Sequence, residues 1–170
     1  MAIYNGKATV TITCASQDAT ILYTVTNEEV PQSIYGGPFE VYKNCTVKAM
    51  ATKEGASNSD IASASCQVKV TADTQYIKVT KNSNNDAAAI EFDPQIVTDL
   101  AKHGANLKIR YTLDGSDPTA SSTLFDISSS ITVGNCTFKY KYFTDECEPS
   151  DTMSEVISGL KVATPVITFA

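Results

Sequence analysis

Residues 111–122, YTLDGSDPTASS, set two carboxylates three positions apart, Asp114 and Asp117, with Gly115 between them and a run of hydroxyls behind. Paired carboxylates are the working groups of glycoside hydrolysis, one as acid and the other as base or nucleophile across a cleft. They are also hard oxygen ligands, so Asp114 and Asp117, with nearby carbonyls, are the candidate ligands of a weak calcium site. Neither chemistry is well served here. Both residues belong to one polar turn, whereas a catalytic acid needs a buried carboxyl with a raised pKa. Calcium takes about six to eight oxygens, and the loop falls short of the D-x-D-x-D pattern. Asp114-Gly115 suits a tight turn, and Asp117 before Pro118 favours an extended exit. Turn architecture is the simpler expectation.

The remaining reactive side chains are sparse. His103 is the only histidine, and without a histidine pair or a G-x-S-x-G stretch, zinc and triad chemistry lack their ligands or base. Its expected place is a solvated helix end. The five cysteines, Cys14, Cys45, Cys66, Cys136 and Cys147, are odd in number and form no close C-x-x-C pair, which fits neither a zinc site nor a full disulfide framework. Cys14 shares a strand face with Val10 and Ile12, Cys45 with Val47 and Ala49, and Cys136 with Phe138 and Tyr140. Reduced thiols packed as small apolar groups are expected, with Cys14–Cys45 or Cys45–Cys66 as bridges the fold would permit. Cys147, in TDECEPS, is the thiol expected to be exposed. Asn44-Cys45-Thr46 and Asn135-Cys136-Thr137 match the N-x-T acceptor pattern, but turn-forming asparagines at two strand entrances explain both. Tyr35, Tyr42, Tyr140 and Tyr142 are the rings that could face a sugar, although half-buried tyrosines more commonly pack core and rim.

The elements that must hold these residues have a period of two. ATVTIT, TILYTV, TVKAMA, TFKYKYF and ASCQVKV alternate apolar with polar residues, as half-buried antiparallel strands do. Clusters of Gly, Asn, Asp and Ser separate them. The exception is 93–106, DPQIVTDLAKHGAN, where Ile96, Val97, Leu100 and Ala101 fall at helical spacing and Gly104 offers a stop. Two stretches also superimpose. Tyr23-Thr24 matches Tyr111-Thr112, Pro31 matches Pro118, Asn44-Cys45-Thr46 matches Asn135-Cys136-Thr137, and Ser59 matches Ser150. The second copy carries three extra residues between its tyrosine and its cysteine. The expected organisation is a first β-sandwich over 1–70, a linker over 71–74, a second sandwich over 75–162 with a short helical insertion, and a strand-like tail over 163–170. QYIKVTK supplies a first strand to the second copy that the first copy lacks.

Composition narrows the function classes. The chain has 170 residues, a net charge of −6 and no tryptophan. An acidic balance argues against nucleic-acid partners, which call for a basic surface. No apolar run reaches membrane-spanning length, and the amino-terminal stretch MAIYNGKATVTIT shows no export signal. Neither nucleic acid nor membrane is expected as a partner, and no cofactor is implied.

The repeated stretches, with YTLDGSDPT…SS as their most recognisable part, resemble the chitobiase/β-hexosaminidase C-terminal domain, a small immunoglobulin-like module. The resemblance covers most of both copies. It implies an all-β fold of two tandem immunoglobulin-like antiparallel sandwiches and a non-catalytic character. YTVTNEEVPQS in the first copy departs from it by losing the aspartate-glycine pair. On this basis the chain reads as a structural or adhesive protein and not an enzyme. The first reading is an auxiliary or decorating capsid protein on a phage virion surface after assembly in the bacterial cytoplasm. Its expected partners are the major capsid protein or copies of itself, and surface glycans. The alternative is an extracellular or cell-surface spacer or carbohydrate-binding module of a secreted glycoside hydrolase or surface protein. The tail carries the expected assembly residues, Pro165, Val166, Ile167 and Phe169, because an exposed apolar strand is a hazard unless something pairs with it.

Overall fold

The computed structural model describes residues 2–25, 29–71 and 73–168. The chain divides into two compact units, Met1–Lys69 with Glu146–Glu148, and Val70–Asp145 with Pro149–Ala170. Both are β-sandwiches, in keeping with the alternation and the scarcity of helical patterning.

Unit 1 contains β1 (Ile3–Asn5), β2 (Ala8–Val10), β3 (Thr20–Val25), β4 (Ser33–Ile34), β5 (Phe39–Val41), β6 (Cys45–Thr52) and β7 (Ala62–Lys69). One sheet has the order β1-β7-β6-β3-β4, and β2 pairs with β5 in a second. Pairing is antiparallel except between β1 and β7, which run parallel from Ile3↔Gln67 to Asn5↔Lys69, so the first copy does have a first strand, contrary to expectation, but it joins the closing strand and not β2. The rings of Tyr23 and Phe39 meet at 4.8 Å and bring the two sheets together. The stretch Glu146–Glu148 belongs to this unit. Asn44 N–H donates to the Glu146 carbonyl (2.8 Å), and Glu148 N–H to that of Val68 (2.8 Å). The Glu148 carboxylate accepts from Gln67 Nε2 at 2.9 Å.

Unit 2 contains β8 (Ile77–Lys81), β9 (Ala88–Phe92), helix α1 (Gln95–Leu100) with a 3-10 turn at Ala101–His103, then β10 (Lys108–Thr112), β11 (Thr123–Phe125), β12 (Ile131–Val133), β13 (Cys136–Phe143) and β14 (Met153–Ile157). Its sheets are β11-β10-β13-β14 and β12-β9-β8. Alternation in CTFKYKYF sends Phe138, Tyr140 and Tyr142 inward, all fully buried, while Lys139 and Lys141 point away. Phe92 on the opposite sheet meets Phe125 at 4.9 Å and Tyr140 at 5.2 Å, in edge-to-face contacts. Such contacts are favourable beyond the apolar area they cover. Burial raises the Tyr140 and Tyr142 hydroxyls well above their ordinary pKa, so both stay neutral. Tyr142 donates its proton to the Asp73 carbonyl at 2.8 Å. The Tyr140 hydroxyl is buried with no hydrogen-bond partner among the described residues, although Tyr142 is near enough to influence its titration.

The insertion is helical as its spacing predicts, but its buried face differs. Ile96, Leu100 and His103 point inward, whereas Val97 and Ala101 are exposed. Steps of four and three residues keep the inward three on one stripe, because the 3-10 turn carries the helical winding past Leu100. The tail expected as a strand forms no regular structure over 163–168. Backbone with no sheet edge to bond to gains nothing from extending. Phe169, the last of the expected assembly residues, lies outside the described residues.

The core of unit 2 makes a testable contrast. Ile90→Ala, at a fully buried site, should lose about 2–5 kcal/mol. Tyr140→Phe deletes a buried hydroxyl that meets no hydrogen-bond geometry among the described residues and should be neutral or stabilising by up to about 1 kcal/mol. Urea unfolding followed by tyrosine fluorescence measures both.

Candidate functional site

The 111–122 stretch leaves β10 at Thr112 and turns at Gly115, whose φ of 81° only glycine adopts without strain. A Cβ there would sit 3.4 Å from Thr137 Cβ, so the turn also lies close against β13. Ser116 donates to Asp114 Oδ1 twice, from its backbone N–H (2.9 Å) and its hydroxyl (2.6 Å). These bonds hold the Asp114 carboxyl below its ordinary pKa. Lys139 donates to Asp117 Oδ1 at 2.8 Å, and its hydrogen bond and positive charge lower that carboxyl too. Thr119 N–H donates to Ser122 Oγ (2.9 Å) and Arg110 donates to the Ser122 carbonyl (2.9 Å). The 119–122 stretch is thus fastened to itself through a hydroxyl and to β10 through the Ser122 carbonyl.

Neither aspartate has the raised pKa of a catalytic acid; both are shifted the other way. A lysine ammonium already pairs with Asp117. Among the described residues no three His, Cys, Asp or Glu side chains cluster to hold a metal ion. Beside the turn is a shallow hollow of about 420 Å³ that includes Tyr111, Asp114 and Ser122.

The structure moves several other residues from their expected places. His103 is buried, not solvated, and its carbonyl accepts from Thr144 Oγ1 at 2.9 Å. Cys147 is buried as well, its thiol donating to the Tyr42 carbonyl at 3.2 Å, because 146–148 packs into unit 1. Cys14 is exposed: β2 ends at Val10, so the expected inward alternation does not reach it. Tyr140 and Tyr142 are enclosed in the core and present no ring to a sugar. Tyr35 packs edge-on against Tyr23, and its hydroxyl accepts from Ile12 N–H at 3.1 Å. Tyr42 donates to Glu40.

None of the five cysteines is in a disulfide. Cys45 and Cys66 face each other across β6 and β7 with sulfurs 3.5 Å apart. Burial and the neighbouring thiol push Cys45 up to about 12.

The two asparagines of the repeated Asn-Cys-Thr have a role that the acceptor pattern does not suggest. Asn135 accepts from Leu160 N–H (3.0 Å) and donates to the Leu160 carbonyl (3.1 Å). Asn44 accepts from Val68 N–H (2.7 Å) and donates to Glu148 Oε1 (3.3 Å). Each amide fastens the chain at or just beyond the closing strand of its unit. Their recurrence at matching positions was the only sequence signal of this role.

A model of the chitobiase/beta-hexosaminidase C-terminal domain matches residues 2–63 and again 69–154. The chain belongs to this family. Its tandem arrangement follows from the two matched segments, and both copies of the domain carry the asparagine clamp. Among curated proteins none matches the chain. A solved structure described as a cytokine receptor complex aligns over 95% of both chains, at 11% identity and a TM-score of 0.35, too distant to bear on the fold.

Two outcomes test the clamp and the thiols. Asn135→Ala strands the buried Leu160 backbone groups and should cost about 1–3 kcal/mol by urea denaturation. At pH 8, well below a pKa of about 12, Cys45 is a protonated thiol and iodoacetamide should modify it far more slowly than the exposed Cys14. Peptide mass mapping over a time course reads the order.

Proposed function

We propose that the chain is a non-catalytic structural protein, an auxiliary or decorating component on the surface of a phage particle. The observation that carries the non-catalytic part is the employment of its candidate chemical groups. Asp114 and Asp117 are bound by Ser116 and Lys139 within a turn, and His103 is buried. Function then rests on surfaces, and the acidic charge of −6 keeps such a surface well hydrated. In this reading the major capsid protein or further copies of the chain are the partners, surface glycans are a secondary target, and the particle is assembled in the bacterial cytoplasm. No helix among the described residues is long and apolar enough to cross a membrane.

The family match favours a second reading. A domain named for the C-terminal part of chitobiase and β-hexosaminidase suits an extracellular spacer or carbohydrate-binding accessory beside a hydrolase. Two measurements separate the readings. Antiserum against the purified chain should label the surface of phage particles from the source culture in immunogold microscopy. In the same series the chain should stay in the supernatant when mixed with insoluble chitin. Unlabelled particles together with depletion by chitin would overturn the virion reading in favour of the accessory one.

A further inference from the structure

The two units differ in where the first strand pairs: β1 of unit 1 joins β7, whereas β8 of unit 2 joins β9, which leaves the outer edge of β2 unpaired among the described residues. In unit 2, β8 pairs antiparallel with β9 from Ile77↔Phe92 to Lys81↔Ala88. The inward residues of β9, Ala88, Ile90 and Phe92, are then 1%, 0% and 3% exposed. Matching Ala8↔Val41 with Ala88↔Val133 makes Ala8, Val10 and Ile12 their counterparts in unit 1. Among the described residues β2 pairs with β5 alone. It stops at Val10, two residues short of the length its counterpart reaches, and Val10 and Ile12 stay half-buried.

The facing sheet shows the same deficit. Cys45↔Cys66 corresponds to Cys136↔Ile157, and Ala49↔Ala62 to Tyr140↔Met153. Met153 and Ile157 are buried, whereas Ala62 and Ala64 on the equivalent face of β7 are exposed and Cys66 is half-buried. Between the two sheets lies a groove of about 410 Å³ whose walls include Ala8, Val10, Ile12, Val47, Ala64 and Cys66. Its position beside the free edge of β2 is the one that β8 occupies in unit 2, so a single β-strand is the occupant of the right form.

The same chain carries a strand-like segment with no partner. Residues 162–168 follow the last clamped residues of unit 2 without regular structure, and Val162, Val166 and Ile167 are 88%, 86% and 78% exposed. Pro165 lacks an N–H, which suits the start of an added edge strand and not its middle. From there Val166, Ile167 and Thr168 are β-formers. Strand addition of this kind gains backbone hydrogen bonds from the edge and apolar burial from the groove.

We infer that residues 165–168 of one copy add antiparallel to the free edge of β2 in a second copy, taking the place beside β2 that β8 takes beside β9. Each copy then gives one strand and receives one, a head-to-tail contact that propagates into a ring or a filament. The contact is independent of whether the protein decorates a particle or accompanies a hydrolase. Its test is the mass of the 170-residue chain by light scattering across a concentration series. The full chain should form oligomers that grow with concentration. Deleting residues 163–170 should give a monomer with the same circular dichroism spectrum and melting curve. A synthetic peptide of residues 162–170 should bind that monomer, and Ala64→Glu, a substitution at an exposed groove position, should weaken peptide binding at least about tenfold. Should the deletion disturb unit 2, Ala64→Glu in the full-length chain reads the same contact from the receiving side. A full-length chain that stays monomeric, or oligomers that survive both changes, would overturn the inference.

Discussion

Phe92 is the residue on which the order of unit 2 depends. It projects from one sheet into a ring of aromatic side chains on the other, Phe125, Phe138, Tyr140 and Tyr142. Edge-to-face rings interlock more specifically than aliphatic chains, because each hydrogen-bearing edge seeks a π-face. That requirement sets the spacing of the sheets and the register of β13, since a one-residue slip would exchange three aromatic rings for lysines and a threonine. Phe92 in turn lies in a strand held on both sides, by β8 and by β12.

Unit 1 is built on the same plan with smaller side chains. Where β13 carries Phe138 and Tyr140, β6 carries Val47 and Ala49 at the matching register. The aromatic contacts that remain, among Tyr23, Tyr35 and Phe39, sit toward β3 and β5. One repeat thus holds a dense core with paired strands around it, and the other holds a thinner core whose alanines face a groove. The smaller side chains and the unpaired edge of β2 face the same groove.

Much of this was legible in the residues. The alternation of TFKYKYF and TILYTV announced half-buried strands, the repeated Asn-Cys-Thr announced two copies, and Asp114-Gly115 announced a turn. What escaped depended on contacts between segments remote in sequence. Cys147 sits in a polar stretch, and only the packing of 146–148 against residues 42–44 and 67–69 buries it. His103 is hidden because the helical winding continues past Leu100 and sets it seven residues after Ile96 on the same stripe, a position that the expectation of a solvated helix end overlooks. Cys14 fails in the opposite sense, since alternation persists in its sequence where the strand has ended for want of a neighbour. The candidate carboxylates were correctly placed in a turn, but their partners, Ser116 beside Asp114 and the distant Lys139 beside Asp117, required the folded backbone.

The asparagine clamp has a consequence for chemical ageing. Asn135 both accepts from and donates to the backbone of Leu160, so its amide needs an oxygen on one side and an N–H on the other. An aspartate has the same outline but, once ionised, only accepts. Loss of a single amide nitrogen by deamidation would therefore turn a carboxylate oxygen toward the Leu160 carbonyl. A change of one mass unit would convert the fastening behind β14 into a repulsion.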